Sequence, residues 1–203
     1  CDTTMCTLRG AIEAANINDE IDIINISASI KKINITDELL LKNNDSFDDG
    51  VDVTITGNTV IDAQKKNRVF AIAPGTYAVI NGLNITGGFL NTTSSLQGAG
   101  IHNQGVLELT NVKIYGNAIK HTSDNKKTTV RGAGIYNGNS ASLYLIQTEI
   151  GPRNTLEVEA ANAYAEGAGI YTAGKLSVID SSVFNNYALA RSSLDKGSAN
   201  ARG

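Results

Sequence analysis

The sequence predicts an all-β parallel solenoid of about six to seven coils, closed at its N-terminal end by a short capping helix. Three observations predict it. The tetrapeptide Gly98-Ala99-Gly100-Ile101 recurs as Gly132-Ala133-Gly134-Ile135 and as Gly167-Ala168-Gly169-Ile170, at intervals of 34 and 35 residues. Each copy is followed by short segments of strict alternation: Leu107-Glu108-Leu109, Leu143-Tyr144-Leu145 and Leu176-Ser177-Val178, then Val112-Lys113-Ile114, Thr148-Glu149-Ile150 and Ser181-Ser182-Val183. Finally, 203 residues contain 22 Asn, 22 Ile and 20 Gly but only 5% aromatics and no Trp.

Strands of three to five residues with a period of two cannot bury a face alone. Stacked one repeat above the next, about 4.8 Å apart, their inward Ile, Leu and Val form a continuous narrow core. Ile, Val and Ala fit such a core, whereas Trp does not. A helical repeat shares the period of 34, but Gly-x-Gly and β-branched runs oppose it. Upstream, Val79 to Ile85 matches Leu109 to Ile114, and Val53 to Gly57 matches it again 25 residues earlier. Ile21 to Ile26, Ile33 to Ile35 and Leu39 to Leu41 extend the pattern. A stack of this size is a rod of roughly 30 Å. Loops such as Lys120 to Arg131 carry the differences in repeat length and read as polar and solvated.

Two roles are expected of Asn. Asn103 and Asn137, with Thr172 in the third repeat, follow the motif Ile at matched positions. Asn tolerates the left-handed backbone of tight corners, and stacked amides hydrogen-bond along the axis as a ladder. Sequons at Asn25, Asn34, Asn84 and Asn91 are explained by composition, and no glycosylation is assigned.

The N-terminal segment breaks the β pattern. Leu8, Ile12 and Ala15 share one helical face, widened by Ala11 and Ala14, with Thr7 as N-cap and Asn16 as stop. A solenoid end exposes core and strand edges, so it needs such a cover. Cys1 and Cys6 leave three readings: free thiols, a lipid-modified N-terminal Cys1, or a short-range disulfide stapling the cap. The repeat architecture favours the disulfide and an oxidising compartment. The domain is read as 1–203, with a cap over 1–20 and coils over 21–203. Gly203 falls where the next Gly-x-Gly-Ile would begin, 36 residues after Gly167, so further coils are expected beyond it.

Cys6-Thr7-Leu8-Arg9-Gly10-Ala11-Ile12-Glu13-Ala14-Ala15-Asn16 resembles the CSLREA motif at the start of many secreted bacterial β-helix proteins. Gly10 stands where that motif has Glu, which removes the second half of a capping box with Thr7. The resemblance implies a right-handed, single-stranded parallel β-helix, export, and display on or release from the cell surface. The chain is also similar to the polymorphic outer-membrane adhesins of intracellular bacteria, without their Gly-Gly-Ala-Ile and Phe-x-x-Asn signatures.

Function classes narrow by exclusion. A formal charge of −3 disfavours nucleic acid as a partner. No apolar run approaches the roughly 20 residues of a membrane-spanning helix. Polysaccharide lyases and hydrolases are the serious rival, and they need clustered carboxylates or Ca²⁺ ligands on adjacent coils. Glu108, Tyr144 and Ser177 share one outward column and Lys113, Glu149 and Ser182 another; neither holds two acids. Asp45 to Gly50 is acidic, but Phe47 interrupts it where an oxygen ligand belongs. His102 and His121 are read as surface residues. No metal or cofactor is expected. One outward column, His102, Tyr136 and Tyr171, is predicted to form an exposed stacked ladder that either stiffens the rod or binds a glycan. Residues 1–62 carry −8 and the remainder +5, with Lys120, Lys126, Lys127 and Arg131 in one loop. The expected function is a non-catalytic extracellular protein of structural, adhesive or assembly role. Its expected partners are a glycan, a surface protein, or another copy met through the solenoid ends. The alternative is a carbohydrate-active enzyme whose site lies beyond Gly203.

Overall fold

The computed structural model describes residues 6–17, 20–43, 50–91, 96–123, 127–194 and 197–203. Every strand pairing is parallel, and the chain winds as a β-solenoid. Each coil lays one strand on each of three faces. Face one stacks Asp22–Asn25, Val53–Thr56, Tyr77–Asn81, Val106–Thr110, Ser142–Ile146 and Lys175–Ile179. Face two stacks Lys32–Asn34, Val60–Asp62, Asn84–Thr86, Lys113–Tyr115, Glu149–Ile150 and Ser182–Val183. Face three stacks Leu39–Leu41, Phe70–Ile72, Ile101–Asn103, Ile135–Asn137 and Ile170–Thr172. The register expected from the repeats holds: Leu107, Leu143 and Leu176 are partners, as are Ile85, Ile114, Ile150 and Val183.

The coil count is about five, not six to seven. Six strands on a face mark only five returns of the chain, and the stack rises about 24 Å. Residues that read as further coil are used sideways instead. From the third coil onward the chain leaves face two and builds a lateral lobe before reaching face three. One lobe sheet stacks Phe89–Leu90, Ala118–Thr122, Thr155–Ala160 and Tyr187–Ser192; the other stacks Lys127–Arg131, Asn162–Glu166 and Ala199–Arg202. Thus the stretch expected to be a solvated loop from Lys120 to Arg131 contributes strands to both lobe sheets, with residues 124–126 outside the described set.

Two cores follow. The main one is filled by rows such as Ile55, Ile80, Leu109 and Leu145, all fully buried. Each such side chain contributes about 1.5–3 kcal/mol on burial. The lobe has its own core of Ala99, Ile119, Val130, Ala133, Leu156, Val158, Ala160, Ala163, Ala165 and Ala168. Its small side chains let the two sheets approach closely.

The Gly-Ala-Gly-Ile motif marks the return from lobe to face three. Gly132 has φ +59°, which L-residues avoid. A Cβ on Gly134 would stand 2.4 Å from the Gly169 carbonyl oxygen of the next coil. One glycine supplies the turn and the other the close approach. The Asn103 and Asn137 backbones are not left-handed, contrary to one expected role. They lie within strands, and the left-handed corner between faces one and two falls on Asn111, Gln147 and Asp180, with φ near +50°.

The cap forms as the helical spacing predicts, over Leu8–Ala15 (α1), with Leu8 and Ile12 buried against the first coils. Thr7 is the N-cap, its hydroxyl accepting from Gly10 N at 3.0 Å, and Asn16 is the C-cap. Two latches hold α1 on the end of the rod. Arg9 donates to the Asp37 and Glu38 carbonyls. Asn16 donates to Leu40 O at 2.8 Å and accepts from Lys42 N at 3.0 Å. The expected Cys1–Cys6 pairing involves Cys1, which lies outside the described residues.

Candidate functional site: the ladder face

The outward column of face three carries the predicted ladder. Parallel register puts His102, Tyr136 and Tyr171 on successive coils. The Tyr136 and Tyr171 rings are 5.4 Å apart and within 3° of parallel, and His102 lies 5.0 Å from Tyr136 at 46°. The Arg131 guanidinium sits 4.9 Å over the Tyr171 ring, reaching in from the lobe. All three ladder residues are half-buried rather than exposed. Tyr136 has a ring neighbour on either side, and Tyr171 has Tyr136 and Arg131. The stacked faces are therefore directed at one another, and stiffening of the coil follows directly.

His102 is the most perturbed group on this face. Burial, and then the positive Arg68 guanidinium, depress its pKa to about 4, with Glu38 acting weakly in the opposite direction. Arg68 is itself 8% exposed and held by Gly98 O, Gln97 O and the Glu38 carboxylate at 2.6 Å. The imidazole is accordingly neutral at pH 7. Gln104 Nε2 lies 3.4 Å from His102 Nε2, and an amide nitrogen only donates, so the ring nitrogen accepts.

His121 departs from its surface reading more sharply. It is 7% exposed and points into the lobe, with Nδ1 3.3 Å from Asn91 O. Its strand neighbours Lys120 and Thr122 take the outward positions.

Charged side chains on the outside pair from coil to coil. Lys32–Asp62, Lys113–Glu149, Lys120–Glu157 and Arg131–Glu166 are ion pairs of 2.7–3.1 Å, and Lys127 stands 5.0 Å over the Tyr164 ring. Of the lobe's bases, Lys120 and Arg131 are thereby matched by acids one coil away, each pair contributing about 0.2–1 kcal/mol. Among the described residues no three His, Cys, Asp or Glu converge as a metal site, and residues 44–49 of the acidic stretch lie outside them. Glu108, Tyr144 and Ser177, like Lys113, Glu149 and Ser182, align as expected.

The amide ladder is present and buried. Asn103 donates to Asn137 Oδ1, and Asn137 donates to Thr172 Oγ1. A second ladder, missed at the sequence level, runs Asn117, Asn154 and Asn186 at the corner between face two and the lobe. Its intervals of 37 and 32 residues disguise it, but each Asn follows its face-two Ile or Val by three or four positions.

No helix among the described residues is long and apolar enough to cross a membrane. Comparison with protein-family models, with curated proteins and with solved structures finds no match to this chain.

Proposed function

We propose that this chain is a non-catalytic β-helix of the secreted or cell-surface kind, serving as a rigid structural, adhesive or assembly rod. One observation carries the reading. Among the described residues, ion pairs, an aromatic stack and cation–π contacts join outward side chains of one coil to those of the next, and no three His, Cys, Asp or Glu converge as a metal site. Such an exterior reinforces a rod. A catalytic groove instead leaves acids and bases facing a substrate.

Export follows from the resemblance of residues 6–16 to the CSLREA motif, and a Cys1–Cys6 disulfide is part of the same proposal. The right-handed sense of the coil belongs to the same reading and agrees with the strong right-handed preference of parallel crossovers. The partners of this reading are a glycan, a surface protein, or a second copy.

The test is location and turnover. Antibodies raised against the chain should label intact, non-permeabilised source cells or their medium, and external protease should remove the cell-bound signal. Incubation with neutral and acidic polysaccharides should release no new reducing ends or unsaturated products. A strictly cytosolic signal, or polysaccharide cleavage abolished by substituting a single outward carboxylate, would overturn the proposal.

A further inference from the structure

The corners joining face three to face one alternate in length. Residues 73–76 and 138–141 form four-residue corners, while residues 104–105 between them form a two-residue corner. The short corner is recessed between two that project, and about 9.6 Å, two strand spacings, separates the projecting pair. The result is a notch one coil high beside the aromatic ladder. It has a volume of about 350 Å³ and is lined by Pro74, Gln104, Tyr136, Gly138, Asn139 and Ser140. That is at the lower end of the roughly 300–1,000 Å³ of small-ligand sites.

We infer that this notch is a binding subsite for a neutral saccharide of about two sugar rings. This deepens the adhesive reading and rests on it. The Pro74 ring and the edge of Tyr136 supply apolar walls for sugar C–H groups. Gln104, Asn139 and Ser140 supply polar atoms that both donate and accept, as hydroxyl pairs require. The side chains of Asn139 and Ser140 are exposed and make no hydrogen bond to other described residues. Gln104 uses its amide N–H on His102, which turns its carbonyl oxygen toward other partners. No charged residue lines the notch, so a uronate or phosphate finds no Arg or Lys there. A purely apolar ligand would leave three polar side chains unmatched. The ladder thus contributes an edge to the wall of the site, not open ring faces.

Gly138 offers a test by a small substitution. Its backbone is not left-handed, and an added Cβ would stand 3.7 Å from the Tyr136 ring and 3.8 Å from Gln104 Cγ, with the Asn103 carbonyl oxygen at 3.3 Å yielding by a few tenths of an ångström. The experiment titrates the ¹⁵N-labelled chain with cellobiose, lactose, maltose, N,N′-diacetylchitobiose and, as the charged control, glucuronic acid. At least one neutral disaccharide should saturably shift the Gln104 and Asn139 side-chain amides and the Gly138 backbone amide. Gly138→Ala and Asn139→Ala should each weaken that binding about tenfold. Ser182→Ala, exposed on face two and away from the notch, should leave it unchanged, with circular dichroism confirming the fold of each variant. Silence from every neutral sugar, shifts from glucuronic acid alone, or shifts indifferent to both notch variants would overturn the inference. Cell-surface labelling judges the broader reading independently, so the two fail separately.

Discussion

Asn103 donates a 2.8 Å hydrogen bond to the Asn137 amide oxygen, 34 residues later, with both side chains fully buried. The same Asn103 nitrogen reaches Ser142 O, and its own oxygen accepts from Gly105 N at the recessed corner. Inward positions upstream in this row are Leu41 and Ile72, partners of Asn103 through the register. The row therefore changes from apolar to amide partway along the rod. An amide suits a buried corner because it satisfies backbone groups that an alkyl side chain would leave orphaned.

Asn137 is the middle rung, accepting from Asn103 and donating to Thr172 Oγ1 and Lys175 O. Asn137→Ala removes these bonds and leaves buried partners unsatisfied, at an expected cost of about 2–4 kcal/mol. Asn139→Ala, two residues on and exposed, should change stability by less than about 0.5 kcal/mol. Urea unfolding of the two variants beside the parent checks this; equal midpoints would show that the ladder adds nothing.

Which parts of this molecule are readable from residues alone follows from where apolar and polar positions alternate cleanly. Leu107-Glu108-Leu109 and its partners announce face one because each inward residue is large and each outward one polar or half-buried. The aromatic column follows from the same register. The lobe is not readable this way. Its inward residues include His121, Thr128, Ala163 and Ala165, too polar or too small to contrast with outward Lys120, Thr129 and Glu166. A thin two-sheet core demands small side chains, and small side chains erase the amphipathic signal. Arg9 and Asn16 belong to a recognisable motif, yet the carbonyls they bind lie 24–29 residues away, which no local pattern reveals. The notch beside Tyr136 depends on corner lengths, visible only once strand ends are placed.

The lobe core gives a prediction opposite to simple hydrophobicity. Ala165 is fully buried opposite the Leu156–Val158 sheet, with Ala160, Ala163 and Ala168 in the same core. Ala165→Leu adds apolar surface but no space receives it, so it should destabilise by about 1–3 kcal/mol. In the main core, Leu109→Ala should cost about 2–5 kcal/mol through its cavity. Denaturation midpoints decide the first case: a stabilised Ala165→Leu protein would mean that the lobe sheets are loosely packed.

His102 makes part of the stability pH-dependent. Its folded pKa of about 4 lies below the ordinary 6.5, because burial and then Arg68 disfavour the imidazolium. Between these values the unfolded chain binds more protons than the folded one, so stability should fall as pH drops from about 6.5 to about 4. The half-buried ring is screened by solvent, which limits the effect to about 1–2 kcal/mol. His102→Asn should flatten that segment of the curve while leaving carboxylate-driven unfolding at lower pH. Thermal midpoints measured across this range, equally steep for parent and variant, would remove His102 as the cause.

Asn16 closes an edge as well as a helix. The face-three strand Leu39–Leu41 is the first of its sheet, so one of its edges has no strand neighbour among the described residues. Asn16 occupies that edge as a strand would, donating to Leu40 O while its oxygen takes the Lys42 N–H. Open edges recruit other chains, and a side chain paired to them blocks that route. Asn16→Ala loses both bonds and should cost about 1–3 kcal/mol. It should also accelerate exchange of the Lys42 amide and raise light scattering on prolonged incubation. Arg9→Ala, which leaves the Asn16 pairing in place, should loosen α1 with little change at Lys42. If Lys42 protection and scattering in Asn16→Ala match the parent, the packing of Leu8 and Ile12 alone holds the cap, and Asn16 serves only to end the helix.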